Sequence, residues 1–157
     1  MEIKLRHAVR EDLPEVLSCI KELALYERAP QEVTVTLEEL ERDGFGAQPL
    51  FEIILATSDD GIAGLAFYYH SYSTWKGRCI YLEDIIVREP LRGQGIGKVL
   101  FNAVVKRCKE VGAKRMAWQV LDWNEPAINF YKKYNAVLDS TWVNGKLTHE
   151  QILAFEE

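Results

Sequence analysis

At 157 residues the chain is long enough for one domain with a substantial core. Its 48% hydrophobic and 27% charged residues are those of an ordinary globular protein. A formal net charge of −5 argues mildly against nucleic acid as the partner and fits a cationic small molecule.

The sequence predicts no membrane span and no signal peptide at Met1-Glu-Ile-Lys4. Cys19, Cys79 and Cys108 are odd in number and widely spaced. They read as reduced thiols of a cytoplasmic protein, not as a disulfide framework or a zinc site. His7, His70 and His149 are scattered, so no histidine-based metal motif is predicted.

In chain order, residues 3–9 alternate and predict a first strand. Glu11 and Asp12 open a helix whose buried face carries Leu13, Val16, Leu17, Ile20, Leu23 and Ala24. It ends near Tyr26, Glu27 and Arg28, with Pro30 beyond. Thr36 with Glu39 forms a capping box for a second short helix, expected to close at Gly44. Three strands follow, over 51–57, 62–72 and 79–87, joined by turns at 59–61 and 73–78, so an antiparallel meander is expected. A long amphipathic helix is predicted over 95–111 with Gly112 ending it, then a strand over 115–121. A helix over 125–134 has Pro126 in its first turn. A sixth strand over 140–147 containing Asn144-Gly145 is expected. Thr148 with Gln151 is a weak capping box for a terminal helix. The order β-α-α-β-β-β-α-β-α-β describes an α+β or mixed α/β domain over 1–157.

Two features of the stretch 81–98 carry chemistry. Glu83 and Asp84 interrupt an otherwise apolar strand, and buried carboxylates need a partner or a task. The alternation of a strand predicts that they point to opposite faces unless a bulge re-aims one. Glu83 is then the residue expected on the active-site face. Asp84 is expected to bind a distal ammonium or to be structural, and a salt bridge to an arginine is the ordinary alternative for both. After Pro90, Arg92-Gly-Gln-Gly-Ile-Gly97 leads into a helical pattern. Glycines there let backbone N–H groups converge at a helix N-terminus, a natural anion site. The spacing fits neither a Walker A loop, because position 92 is Arg and position 99 is Val, nor a dinucleotide fingerprint, because Lys98 and Leu100 stand where a third glycine belongs. Arg-x-x-Gly-x-Gly does fit a coenzyme A pyrophosphate loop. Such a turn also serves simply to pack a helix on a strand.

This strand, loop and helix resemble those of the GNAT superfamily of acetyl-CoA-dependent N-acetyltransferases, and the order of elements agrees along the chain. Lys21-Glu-Leu-Ala-Leu-Tyr-Glu27, Asp43-Gly-Phe-Gly46, Tyr81-Leu-Glu-Asp84 and Trp123-Asn-Glu-Pro-Ala-Ile-Asn-Phe-Tyr131 are similar to the spermidine/spermine (diamine) and thialysine branch. Ser71-Tyr-Ser-Thr-Trp-Lys-Gly-Arg78 resembles the thialysine enzymes more. The resemblance implies a central, mostly antiparallel twisted sheet flanked by helices. It implies that acetyl-CoA is the acetyl donor and coenzyme A the product. The backbone of Ile85, Ile86 and Val87 would hold the acetyl and pantetheine part. Gly93, Gln94, Gly95, Ile96, Gly97 and Lys98 would wrap the pyrophosphate, with Arg92 opening the motif. Asn124, Glu125, Pro126 and Ala127 would also contact the coenzyme. Tyr131 would be the general acid that protonates the leaving thiolate, and Glu83 would relay the amine's proton through water. A backbone N–H near Val87 would hold the oxyanion. Tyr26, Glu27, Trp75, Glu83 and Asp84 would meet the amine. For Tyr131 the ordinary alternative is a packed tyrosine; for Glu27 it is a solvated helix end; for Trp75 it is a turn filler.

Two departures from the diamine branch matter. Ser73 stands where that branch is acidic, and its acidic loop after the last main helix is shortened here to 136–142. Fewer carboxylates weaken the case for a long polyamine and leave room for a zwitterion such as thialysine, ornithine or lysine. The expected function is transfer of acetyl to a primary amine of a small cationic metabolite by direct attack in a ternary complex. The rivals are a protein lysine or N-terminal acetyltransferase and a non-catalytic acyl-CoA-binding module. Relatives of this kind imply a homodimer, with no nucleic-acid or membrane partner.

Overall fold

The computed structural model describes residues 1–156. They form two compact units, Met1–Gln119 and a second that starts at Val120. The first holds strands β1 (Lys4–His7), β2 (Glu52–Ser58), β3 (Gly61–Ser73), β4 (Gly77–Val87) and β5 (Arg115–Ala117), with helices α1 (Leu13–Tyr26), α2 (Leu37–Phe45) and α3 (Ile96–Val111). The second holds α4 (Glu125–Lys132) and α5 (His149–Leu153). No helix among the described residues is long and apolar enough to cross a membrane.

The sheet runs β1-β2-β3-β4-β5 in chain order. The first three pairings are antiparallel: short hairpins join β2, β3 and β4, while α1 and α2 lie between β1 and β2. β4 and β5 are parallel, because α3 carries the chain back between them. Period-two alternation gives the sheet two apolar faces. Ile53, Leu55, Leu65 and Ile86 pack with Leu13, Val16 and Cys19 of α1 and Leu40 of α2. On the other face α3, through buried Leu100, Phe101 and Val104, packs on β2, β3 and β4.

The helix ends follow local chemistry. Thr36 Oγ1 accepts the Glu39 N–H at 3.1 Å and Glu39 Oε2 accepts the Thr36 N–H at 2.8 Å, the expected capping box of α2. Thr148 and Gln151 form the same box at α5. Gly95 (φ 83°) and Gly112 (φ 71°) bound α3, both in the left-handed region that side-chain-bearing residues avoid.

Three expectations are corrected. Gly44 does not close α2; it is buried within the helix, which runs on to Phe45. It is glycine because a Cβ there would lie 2.2 Å from Phe51 Cζ. The strand expected over 115–121 stops at Ala117. The strand expected over 140–147 does not form. Asp139 instead accepts from the Thr141 N–H (2.8 Å) and hydroxyl (2.6 Å) in a local turn. A strand needs a ladder partner, and the sheet of described residues ends at β5.

Candidate active site

The site is built around a break in the β3–β4 ladder. Phe67 pairs with Asp84, but the next β3 residue, Tyr68, pairs with Leu82, so Glu83 is an extra residue without a partner in register. Such a bulge turns the strand and re-aims its side chains. Glu83 and Asp84 therefore line one pocket of about 380 Å³, together with Asp43 and Tyr69 and an apolar floor that includes Ile20, Leu40, Phe51 and Phe67. The plain alternation that would separate the two carboxylates is overturned by the bulge.

Crowding acid groups in a partly dry pocket disfavours their charge. Burial, then the neighbouring Glu83 and Glu27, push the Asp84 carboxyl from 3.8 up to about 7. Burial alone raises Glu27, at the C-terminal end of α1. The Tyr69 and Tyr81 rings lie 5.2 Å apart. Both phenols are raised by burial and then by Glu83. The pocket thus concentrates acceptors suited to a cation, and one of them exchanges its proton near neutral pH.

Beyond the bulge, β4 has a ladder on one side only. The parallel pairing with β5 runs from Cys79↔Arg115 to Tyr81↔Ala117 and no further. Arg88 donates its N–H to Ala63 O across the β3 side at 2.9 Å. Alternation then turns the Val87 N–H and C=O to the opposite edge. There the Val87 carbonyl accepts from Arg92 Nε at 3.1 Å. The backbone of 85–87 is thus presented along an edge that β5 does not cover.

The chain then makes a 3-10 turn at Glu89–Leu91 and reaches the glycines. Gly93 (φ 78°) and Gly95 (φ 83°) turn the backbone, and no heavy atom lies within 4 Å of where a Cβ would stand on either. Open space therefore lies over a tight turn at the N-terminus of a 16-residue helix. An anion fits that arrangement, which supplies free N–H donors, the positive end of the helix dipole and the cationic Lys98. Gly97 sits close to the strand: a Cβ there would lie 3.8 Å from Val87 Cγ2 and 4.0 Å from Ile85 Cγ2. Arg92 does not turn toward the glycines. Its guanidinium lies 4.8 Å from the Tyr26 ring centroid and 3.9 Å from Glu22.

In the second unit, Asn124 caps α4, its Oδ1 accepting the Ala127 N–H at 3.4 Å, with Pro126 in the first turn. Glu125, Pro126 and Ala127 form that turn. Tyr131 lies in the last turn, its ring 5.3 Å from that of Phe130 in an edge-to-face contact. Trp75 is 80% exposed at the β3–β4 turn and does not line the carboxylate pocket. Its N–H donates to Ser73 Oγ at 3.2 Å. A larger cavity, about 460 Å³, lies between β1–β2 and α3. It is lined by Arg6, His7, Lys106, Arg107 and neighbours, and by none of the residues expected to act.

Sequence reasoning missed Asp43 and Tyr69, which line the pocket, and Glu22, which holds the start of the loop. Tyr69 was within reach: it stands in register with Tyr81, two residues before Glu83.

The fourth strand of the sheet carries the bulge, parts from the fifth and feeds the glycine turn. The chain belongs to the acetyltransferase (GNAT) family, which it matches over residues 11–136. It is 39% identical to the thialysine N-epsilon-acetyltransferase of Bos taurus over 142 residues, covering 85% of this chain and 84% of the relative. It is 33% identical to the human spermidine/spermine N(1)-acetyltransferase-like protein 1 over 166 aligned positions, covering 98% of this chain and 24% of that longer protein. Among solved structures, an integron cassette protein from the mobile metagenome of V. cholerae superposes with a TM-score of 0.79 at 20% identity, covering 98% of this chain and 96% of the other. That likeness is one of fold. The protein is an N-acetyltransferase of the branch that its sequence motifs resemble.

Proposed function

We propose that this acetyltransferase moves acetyl from acetyl-CoA to the side-chain amine of a small diamino acid of the thialysine type. Transfer is direct, within a ternary complex. The observation that carries the reading is the bulge at Glu83, which gathers Glu83 and Asp84 into one pocket of about 380 Å³ beside Tyr69. Three carboxylates, Asp43 among them, and a phenol suit an alkyl ammonium, and the pocket is small. The thialysine enzyme named above supports the same substrate class. Ser73 in place of an acid favours a zwitterion over a long polyamine.

Bound acetyl-CoA supplies an activated thioester carbonyl. The residues of this chain do the rest. Glu83 and Asp84 bind the ammonium and take up the proton it must lose before it can attack. The Val87 N–H, on the open edge of β4, holds the developing oxyanion. Ile85, Ile86 and Val87 align the thioester arm. Gly93, Gln94, Gly95, Ile96, Gly97 and Lys98 hold the pyrophosphate. Asn124, Glu125, Pro126 and Ala127 would flank the coenzyme, and the Tyr131 hydroxyl would give its proton to the departing sulfur and regain one from the newly acetylated nitrogen. Tyr26 and Glu27 belong to the amine side; Trp75, expected there, stands outside the pocket at the β3–β4 turn. Direct transfer is supported by the cysteines. All three are buried, which leaves none of the sulfurs open to an acetyl group, and burial also pushes the Cys19 thiol up to about 11 and raises Cys108. The homodimer implied by the sequence motifs and the cytoplasmic setting read from the cysteines belong to this reading.

Thiol release from acetyl-CoA, measured against thialysine, lysine, ornithine, putrescine and spermidine, tests it. The expected kcat/KM for thialysine exceeds that for spermidine about 10-fold or more, since a misfit in a polar site is discriminated at least this strongly. A preference for spermidine, or no turnover with any of the five, contradicts it.

A further inference from the structure

Glu22 lies one helical turn before Tyr26 on α1, so the two side chains share a face of the helix. Its Oε1 accepts the Glu89 N–H at 2.7 Å, at the first residue of the turn that leads to the glycine loop. Its Oε2 accepts from Arg88 Nη1 at 3.0 Å, just past the end of β4. Arg92 Nη2 is 3.9 Å from Oε1. Arg92 bridges onward, donating Nε to Val87 O at 3.1 Å and stacking on the Tyr26 ring at 4.8 Å. One carboxylate thus touches the exit of β4, the start of the loop and, through Arg92, the last turn of α1.

This is not an ordinary surface ion pair, which holds two mobile side chains and contributes little. A backbone N–H is fixed here, and charge-assisted bonds to backbone are short and directional. Burial pushes the Glu22 carboxyl up, but the Glu89 N–H and the guanidiniums of Arg88 and Arg92 bring it below its ordinary value. Arg92 is the bridging piece. Its planar cation can satisfy a ring face, a carbonyl and a carboxylate at once, as a lysine cannot.

We propose that Glu22 is a positioning residue that couples the coenzyme loop to the amine-side end of α1, so that filling one side tightens the other. The inference rests on the reading above that residues 93–98 hold coenzyme A and that Tyr26 and Glu27 meet the amine. Coupling of this kind is reciprocal, so it can be read from either ligand.

Calorimetric titration with coenzyme A, with and without saturating thialysine, measures it; without an acetyl group there is no turnover. In the wild type, thialysine is expected to tighten coenzyme A about 5–10-fold. Glu22→Gln brings that factor below about twofold. Arg92→Lys, which keeps the charge but loses the planar face and Nε, does the same. Glu15→Gln removes only a 3.8 Å contact to Arg88 and keeps the wild-type factor. A purely structural role for Glu22 would lower Tm and leave the factor alone. A wild-type factor of one, or equal factors in the wild type, Glu22→Gln and Arg92→Lys, overturns the inference and leaves the function standing. Failure of the wild type to bind coenzyme A, or no turnover of the amine panel, overturns the function instead.

Discussion

Replacing Tyr131 by phenylalanine is expected to lower kcat by about 100-fold or more while coenzyme A binding stays within about twofold. The leaving group is a thiolate, and general-acid assistance to a leaving group is typically worth about 10²–10⁴ in rate. The substitution removes one oxygen and keeps the ring, so the edge-to-face contact with Phe130 at 5.3 Å survives. Loss confined to kcat marks a group used in the transition state and not in binding. Steady-state kinetics together with a coenzyme A titration check both halves. An unchanged kcat removes Tyr131 from the mechanism and leaves the carboxylate pocket untouched.

The second large effect concerns Asp84, and it has opposite signs for stability and for activity. A carboxyl raised from 3.8 to about 7 means that the folded state holds a proton that the unfolded state has already lost. Stability therefore falls as pH rises from about 4 to about 7 and levels off above that. Ionised Asp84 opposes folding at pH 8 by about 1–3 kcal/mol, once water reaching the pocket is allowed for. Asp84→Asn should accordingly raise Tm at pH 8 by about 3–8 °C and change it little at pH 4, where the wild-type residue is protonated too. The same variant should lose about 100-fold in kcat/KM for the diamino acid, because its side-chain ammonium loses an anionic partner. Its kcat/KM should also lack the rise between pH 6 and pH 8 that is expected of the wild type as Asp84 ionises. Thermal melts and pH–rate profiles read these together. A variant that is both less stable and fully active would show that Asp84 is a structural residue, one of the two roles its sequence position allows. Enzymes commonly hold such destabilising groups at their sites, and neutralising them stabilises the fold at the expense of function.

The fold was largely legible because its signals are local. Thr36 with Glu39 and Thr148 with Gln151 announce their helices, Gly95 and Gly112 bound α3, and Asp59-Asp60-Gly61 forces a hairpin. What failed was non-local. The strand expected at 140–147 has the pattern but no neighbour to pair with, and Gly44 reads as a stop signal until Phe51 is seen against it. The candidate site divides in the same way. The glycine loop stands in the sequence as spacing. The meeting of Glu83 with Asp84 does not, because a bulge belongs to the register between two strands and leaves no mark in either one alone. Glu22 was hidden for a related reason. Its partners Arg88 and Glu89 lie 66 and 67 positions away, and nothing on α1 distinguishes it from a solvated helix glutamate.

Co-crystallisation with coenzyme A and thialysine tests the central claim most directly. The account predicts an ammonium within hydrogen-bond distance of Glu83 and Asp84, below about 3.2 Å, and the pyrophosphate on the backbone of 93–98. An amine seated instead in the cavity between β1–β2 and α3, or a pyrophosphate away from the glycine turn, would contradict it.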